Sequence, residues 1–160
     1  MDRREAILAQ LFTVLQAIPD FAAVYRNRPI NPAAATRPAL FIMDAHESRD
    51  DSFAQNGGAF RSLGITGVRM TPEIFISLGA APEDVGPQLN ALRILVLKAI
   101  FADILPGDTP QVAGSLGDLV SGGGDIFYEG AATALTMASG VDGEMAVSVT
   151  FSYPLKPTEF

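Results

Sequence analysis

The sequence predicts an α+β fold: two layers, a mainly antiparallel or mixed β-sheet with two principal helices packed on one face, and two long loops. Three observations carry this prediction. The terminal stretch GEMAVSVTFSYPLKP, residues 143–157, alternates Met145, Val147, Val149, Phe151, Tyr153 and Leu155 with Ala146, Ser148, Thr150 and Ser152, the period of a strand with one buried face. Two other stretches, one at the N-terminus and one around residue 94, repeat apolar residues at helical spacing. Strand signals come in groups rather than alternating one by one with helices, which disfavours a parallel strand-helix-strand array.

The first helix follows Asp2 and Glu5, a potential capping arrangement, with Ile7, Leu8, Leu11, Phe12, Val14, Leu15 and Ile18 on a 3.6-residue period and Pro19 as its stop. Phe21 to Arg26 reads as a strand leading into the turn-rich NRPINPAAATRP. ALFIMD, residues 39–44, is a second strand whose continuous apolar character places it near the middle of the sheet. Residues 45–67 are polar and glycine-bearing, far longer than a hairpin turn, and read as an extended arm. In VRMTPEIFISLG, Val68, Met70, Ile74, Ile76 and Leu78 share one parity; Pro72 favours an edge or a bulge, and Phe75, on the polar parity, needs a partner of its own.

Gly86 and Pro87 mark the entry of the second helix. Leu89, Leu92, Val96 and Ile100 form one stripe; Ile94, Leu97 and Phe101 form another nearly opposite, broken only by Arg93 and Lys98. One stripe meets the sheet, and the other needs the first helix or a neighbouring subunit. Arg93 and Lys98 also leave too short an uninterrupted run for a membrane span, which favours burial in protein. Residues 105–124 form a glycine-rich second loop. IFYEGAATALTM is then a strand pair or a bulged strand bending at Gly130, and GVDGE turns the chain into the terminal strand as a hairpin. Residues 1–160 read as a single domain.

Composition narrows the function. Hydrophobic residues are 48% and charged residues 18%, below the roughly 25% usual for globular chains, so part of the surface is expected to meet copies of itself or other proteins. A net charge of -7 argues against wrapping nucleic acid. Without cysteine there is neither disulfide nor thiolate chemistry. MDRREAILAQ lacks a signal peptide's apolar run, so synthesis in the cytoplasm is expected.

The densest cluster of acid-base or ligand groups is Asp44, His46, Glu47, Asp50 and Asp51, on what reads as a solvated or partner-binding arm; a metal-dependent hydrolase centred on Asp44 and His46 is the alternative of another class. SGGGD, residues 121–125, precedes a strand and lacks the Lys-Ser/Thr of a phosphate loop. GSLG, residues 114–117, does not have the spacing of a nucleophile elbow. Arg26, Arg28 and Arg37 surround the proline-rich connection, and Arg61 and Arg69 flank the far end of the arm. They read as surface groups or as pairing groups across subunit contacts.

Taken in order, RREAILAQL, IPDFAAVYRNR, RPALFIMD, VRMTPEIFISL, LGAAPEDVGPQLNALRILVLKAI, IFYEGAATAL and GVDGEMAVSVTFSYPLKP cover nearly the whole chain. This ordered set resembles the tail terminator, or tail-completion, proteins of long-tailed bacteriophages and related gene-transfer particles. The resemblance implies a non-enzymatic virion protein without cofactors or metals. It implies a homohexameric ring that caps the head-proximal end of the tail tube, stops tube polymerisation and offers the surface joined by a head connector or neck protein. DNA would pass through its channel without specific binding, and no membrane is involved. Another neck or tail-tube component is the nearest alternative.

The same likeness gives residues 45–67 to a neighbour or the tube, with Asp50, Asp51, Phe53, Phe60 and Arg61 as candidate contacts. It adds Arg26, Arg28, Arg37, Arg69 and Phe75, and on the second helix Ile94, Leu97 and Phe101. Residues 105–124 fall on the ring's face or lumen, where Asp118 and Asp125 are candidates; acidic groups there would let a duplex slide rather than grip it.

Overall fold

The computed structural model describes residues 2–28, 36–44, 46–51, 64–106, 109–122, 124–136 and 142–156. Helix α1, Arg3–Gln16, starts at Asp2, whose carboxylate accepts the Arg4 N–H at 3.2 Å, and ends ahead of Pro19. Its apolar stripe Ile7, Leu8, Leu11 and Leu15 is fully buried. The strands are β1 Ala23–Arg26, β2 Ala39–Met43, β3 Glu47–Arg49, β4 Thr66–Met70, β5 Glu73–Gly79, β6 Asp125–Thr136 and β7 Asp142–Leu155. Among the described residues two further helices follow, α2 Pro82–Ala102 and α3 Leu116–Val120.

Among the described residues the seven strands form one mixed sheet: β1 and β2 are parallel and the other pairs antiparallel. The strands align end to end. β4 and β5 lie along one edge of β7 in a single register, from Thr66 opposite Leu155 to Gly79 opposite Asp142. VRMTPEIFISLG is therefore one ribbon whose ladder lapses at Thr71 and Pro72. There the Thr71 and Thr150 hydroxyls meet at 2.7 Å, and Pro72, with no N–H to donate, is buried at the break rather than on an edge. Likewise β2 and β3 run against β5 and β4, with the register of the second pairing shifted by one residue from the first. The ribbons thus stand in the order β1, β2 with β3, β4 with β5, β7 and β6.

The helices cover one face. Met145, Val147, Val149, Phe151, Tyr153 and Leu155 of β7 are all buried in the core with the α1 stripe and with Val85, Leu89, Leu92, Val96 and Ile100 of α2. Gly143 marks how close α2 comes: a Cβ there would stand 2.3 Å from Val85 Cγ1. The Asp103 carboxylate joins α1, α2 and α3, accepting from Gln10 Nε2 at 3.0 Å and from the Leu116 N–H at 2.7 Å.

The structure departs from the sequence expectations in several places, one being that α2 begins at Pro82 and carries Gly86 and Pro87 inside it rather than at its entry. Part of the stretch read as an arm, Glu47–Arg49, pairs with β4, and the buried Tyr153 hydroxyl donates to Glu47 from β7. The stretch read as a loop, 105–124, contains α3, which Ser115 caps by accepting the Asp118 N–H and which buries Leu116 and Val120. α2 extends over 21 residues, and Glu83–Ala102 is long and apolar enough, by length and composition, to cross a membrane; here its Val85 to Ile100 stripe is consumed by the sheet. IFYEGAATALTM, for its part, contains one bulged strand, with the register shift between Tyr128 and Gly130 and Gly130 at φ +143°.

Candidate assembly surface

The second stripe of α2 keeps large apolar side chains at the surface. Ile94 is 45% and Phe101 38% exposed, with Leu97 half-buried between them, while on another flank Leu95 and Ala99 line a cleft with Val14 of α1 and Ile18. Among the described residues, sheet contact and α1 leave the Ile94–Phe101 flank partly exposed. This flank adjoins β6, since Arg93 Nη1 donates to the Tyr128 hydroxyl at 3.1 Å. Tyr128 and, on the opposite face of the sheet, Phe127 are also exposed. β6 thus carries large exposed apolar groups on both faces, and Ala131, Ala132, Thr133 and Ala134 continue it as an exposed, uncharged run.

The basic residues divide sharply. Arg26 lies inside the chain's own network: both Asp44 oxygens accept from it at 2.8 Å, and Glu5 of α1 accepts at 2.7 and 2.8 Å. The guanidinium hydrogen bonds hold both carboxyls below their ordinary range, and the same bonds push Arg26 further up. Arg28, by contrast, is exposed over the Tyr25 ring, 5.3 Å from its centroid. Tyr25 in turn meets Phe41 at 5.2 Å, and Phe41 lies opposite Phe75, so Arg28 and Phe75 belong to one aromatic row on the sheet face away from the helices. Arg37 is half-buried before β2.

Asp50 and Asp51 part company although adjacent. Asp50 is buried, accepting from Ser152 Oγ at 2.7 Å with Arg69 Nε at 3.6 Å; Asp51 is exposed and pairs with Arg49 at 2.8 Å. Asp118 accepts the Gly114 N–H and Asp125 the N–H of Ile126. Phe53, Phe60 and Arg61 lie outside the described residues. The sequence does not single out Tyr25 and Tyr128 at the surface or the buried Phe41 beside Tyr25; only cross-strand register, invisible in the chain order, brings Tyr25 and Phe41 together.

The hydrolase alternative loses its centre. Asp44 is occupied by Arg26, His46 is exposed, and among the described residues no group of three or more His, Asp or Glu side chains could hold a metal. The arrangement around Arg26 is structural, pinning α1 to the sheet. Arg26→Met is expected to cost about 1–2 kcal/mol at pH 7, a bidentate, partly exposed network lying between surface and buried pairs. Because the Glu5 and Asp44 pKa values are lowered on folding, their stabilisation is complete above the unfolded values near 4 and fades as pH falls through the folded ones. Thermal melts of the wild type and Arg26→Met should therefore differ at pH 7 and converge towards pH 3. Comparison of the chain with protein-family models and with curated proteins finds no match.

Proposed function

We propose that this protein is a non-enzymatic structural component of a long-tailed virion or gene-transfer particle, capping the head-proximal end of the tail tube as a homohexameric ring. The ring stops tube polymerisation and presents the surface that a head connector or neck protein joins; DNA passes through it unbound, and no cofactor takes part. The observation that carries this reading is the partly exposed Ile94–Phe101 flank of α2 beside the bare strand β6, an apolar surface that suits burial against other subunits. The order of elements that underlies the resemblance, a helix, a folded-back sheet, an apolar helix and a closing hairpin, supports it too.

Association in solution tests the surface. The expected species has six times the 16.9 kDa protomer mass by sedimentation at rising concentration, or forms only at a tube end. Ile94→Asp with Phe101→Asp, both on the exposed flank, should leave the melting temperature within a few degrees while weakening association at least tenfold. Unchanged association in that variant removes α2 from the interface.

A further inference from the structure

The sheet ends in two edges that complement each other. Among the described residues β6 pairs only with β7 and β1 only with β2, so each turns an outer row of backbone donors and acceptors away from the sheet. Long edge strands are usually guarded by charge, proline or a covering element. From Gly130 to Thr136 β6 has neither charge nor proline, and its exposed Ala131, Ala132, Thr133 and Ala134 leave the backbone open to another strand.

Direction selects what fits there. β2 is parallel to β1, β5 antiparallel to β2, β7 antiparallel to β5 and β6 antiparallel to β7, so β6 runs opposite to β1. Two copies side by side in one orientation, helices on the same side, therefore bring β6 of one against β1 of the next as an antiparallel pair. Level agrees with direction: the row through Tyr25 crosses Phe41, Phe75 and Ala146 to end at Ala132, and the row through Ala23 ends at Ala134. Charge agrees as well. Arg28, exposed just past the end of β1, and Glu129, exposed at the β6 bulge, fall at the same end of the two edges, whereas two β6 strands paired together would give Glu129 no cation from either edge.

We propose that the β6 edge of one copy receives the β1 edge of a second copy in antiparallel register, near Ala134 against Ala23, so that subunits join head to tail through a continuous sheet. Such a contact leaves one free edge at each end and propagates until rotation closes it, as a ring requires. The inference rests on the ring reading for the number of copies; the contact follows from the edges alone.

Absence of native cysteine makes the test direct. The full chain carrying Ala23→Cys and Ala134→Cys is expected to oxidise into a ladder of covalent multimers, while either single variant stays monomeric on a non-reducing gel. Arg28→Glu should lower the cross-linked yield several-fold, and adding Glu129→Arg should restore it. A covalent dimer from Ala134→Cys alone would overturn the proposal in favour of two-fold β6 pairing, and so would a double variant that yields no ladder. A ladder from protein that ignores tail tubes sinks the capping function but keeps the contact; capped tubes without a ladder do the reverse.

Discussion

Phe151→Ala should lower the stability of the protein by about 3–5 kcal/mol, the cost of deleting a fully buried aromatic side chain and leaving a cavity. Phe151 is 0% exposed at the middle of the terminal strand, opposite Ile126 of β6 on one side and Met70 of β4 on the other. All three point into the core, so the lost ring would be missed by two strands at once. Against a typical total of about 5–15 kcal/mol, the loss shifts the melting temperature by roughly 10 °C or more. Phe127→Ala is the internal control. That ring is 41% exposed on the other face of the same hairpin, and its removal should cost under about 1 kcal/mol. Equal losses would mean that the helices do not cover the face of β7 assigned to them.

Gly124→Ala is expected to cost about 3 kcal/mol or more, from one added carbon. A Cβ at Gly124 would stand 2.1 Å from the Ser152 carbonyl oxygen and 2.3 Å from that of Val120, both main-chain atoms that cannot swing away as a side-chain tip can. The Gly124 N–H also bonds to Val120 O at 3.1 Å, which ties the end of α3 to the start of β6. Gly122, one residue beyond the helix cap, has φ +93° and supplies the left-handed turn that directs the chain there. These contacts explain why glycines stand at 122 and 124: close backbone passage rather than a phosphate cradle. Gly86→Ala, in α2 with open space around the new carbon, should instead stabilise by about 0.5–1 kcal/mol. Urea unfolding of the two variants side by side reads the contrast.

What could be read from the chain order was periodic and local. The alternation in β7, the α1 stripe and the burial split on α2, Leu89 to Ile100 inside and Ile94 with Phe101 outside, follow from spacing, because each residue's face depends only on neighbours a few positions away. The bend at Gly130 was legible for the same reason. What escaped depends on partners far along the chain. Asp50 looks like a surface acid until Ser152, 102 positions later, supplies its hydrogen bond. The sequence ESR has no strand signature, yet β4 holds it at the sheet's margin. A five-residue helix such as α3 is too short to announce a period and exists because Leu116 and Val120 are covered by the core. Of the exposed features, the α2 flank was legible and the opposite directions of the β6 and β1 edges were not, since strand order and direction are properties of the folded sheet.

The capping role is tested most directly at the tube itself. Tail-tube protein polymerised with and without this chain, then imaged by electron microscopy, should give tubes that stop growing at one end, each stopped end carrying a six-fold ring of the added protein. Tubes that lengthen unchecked, with the chain left in solution as a monomer or dimer or built along the tube wall, would contradict it.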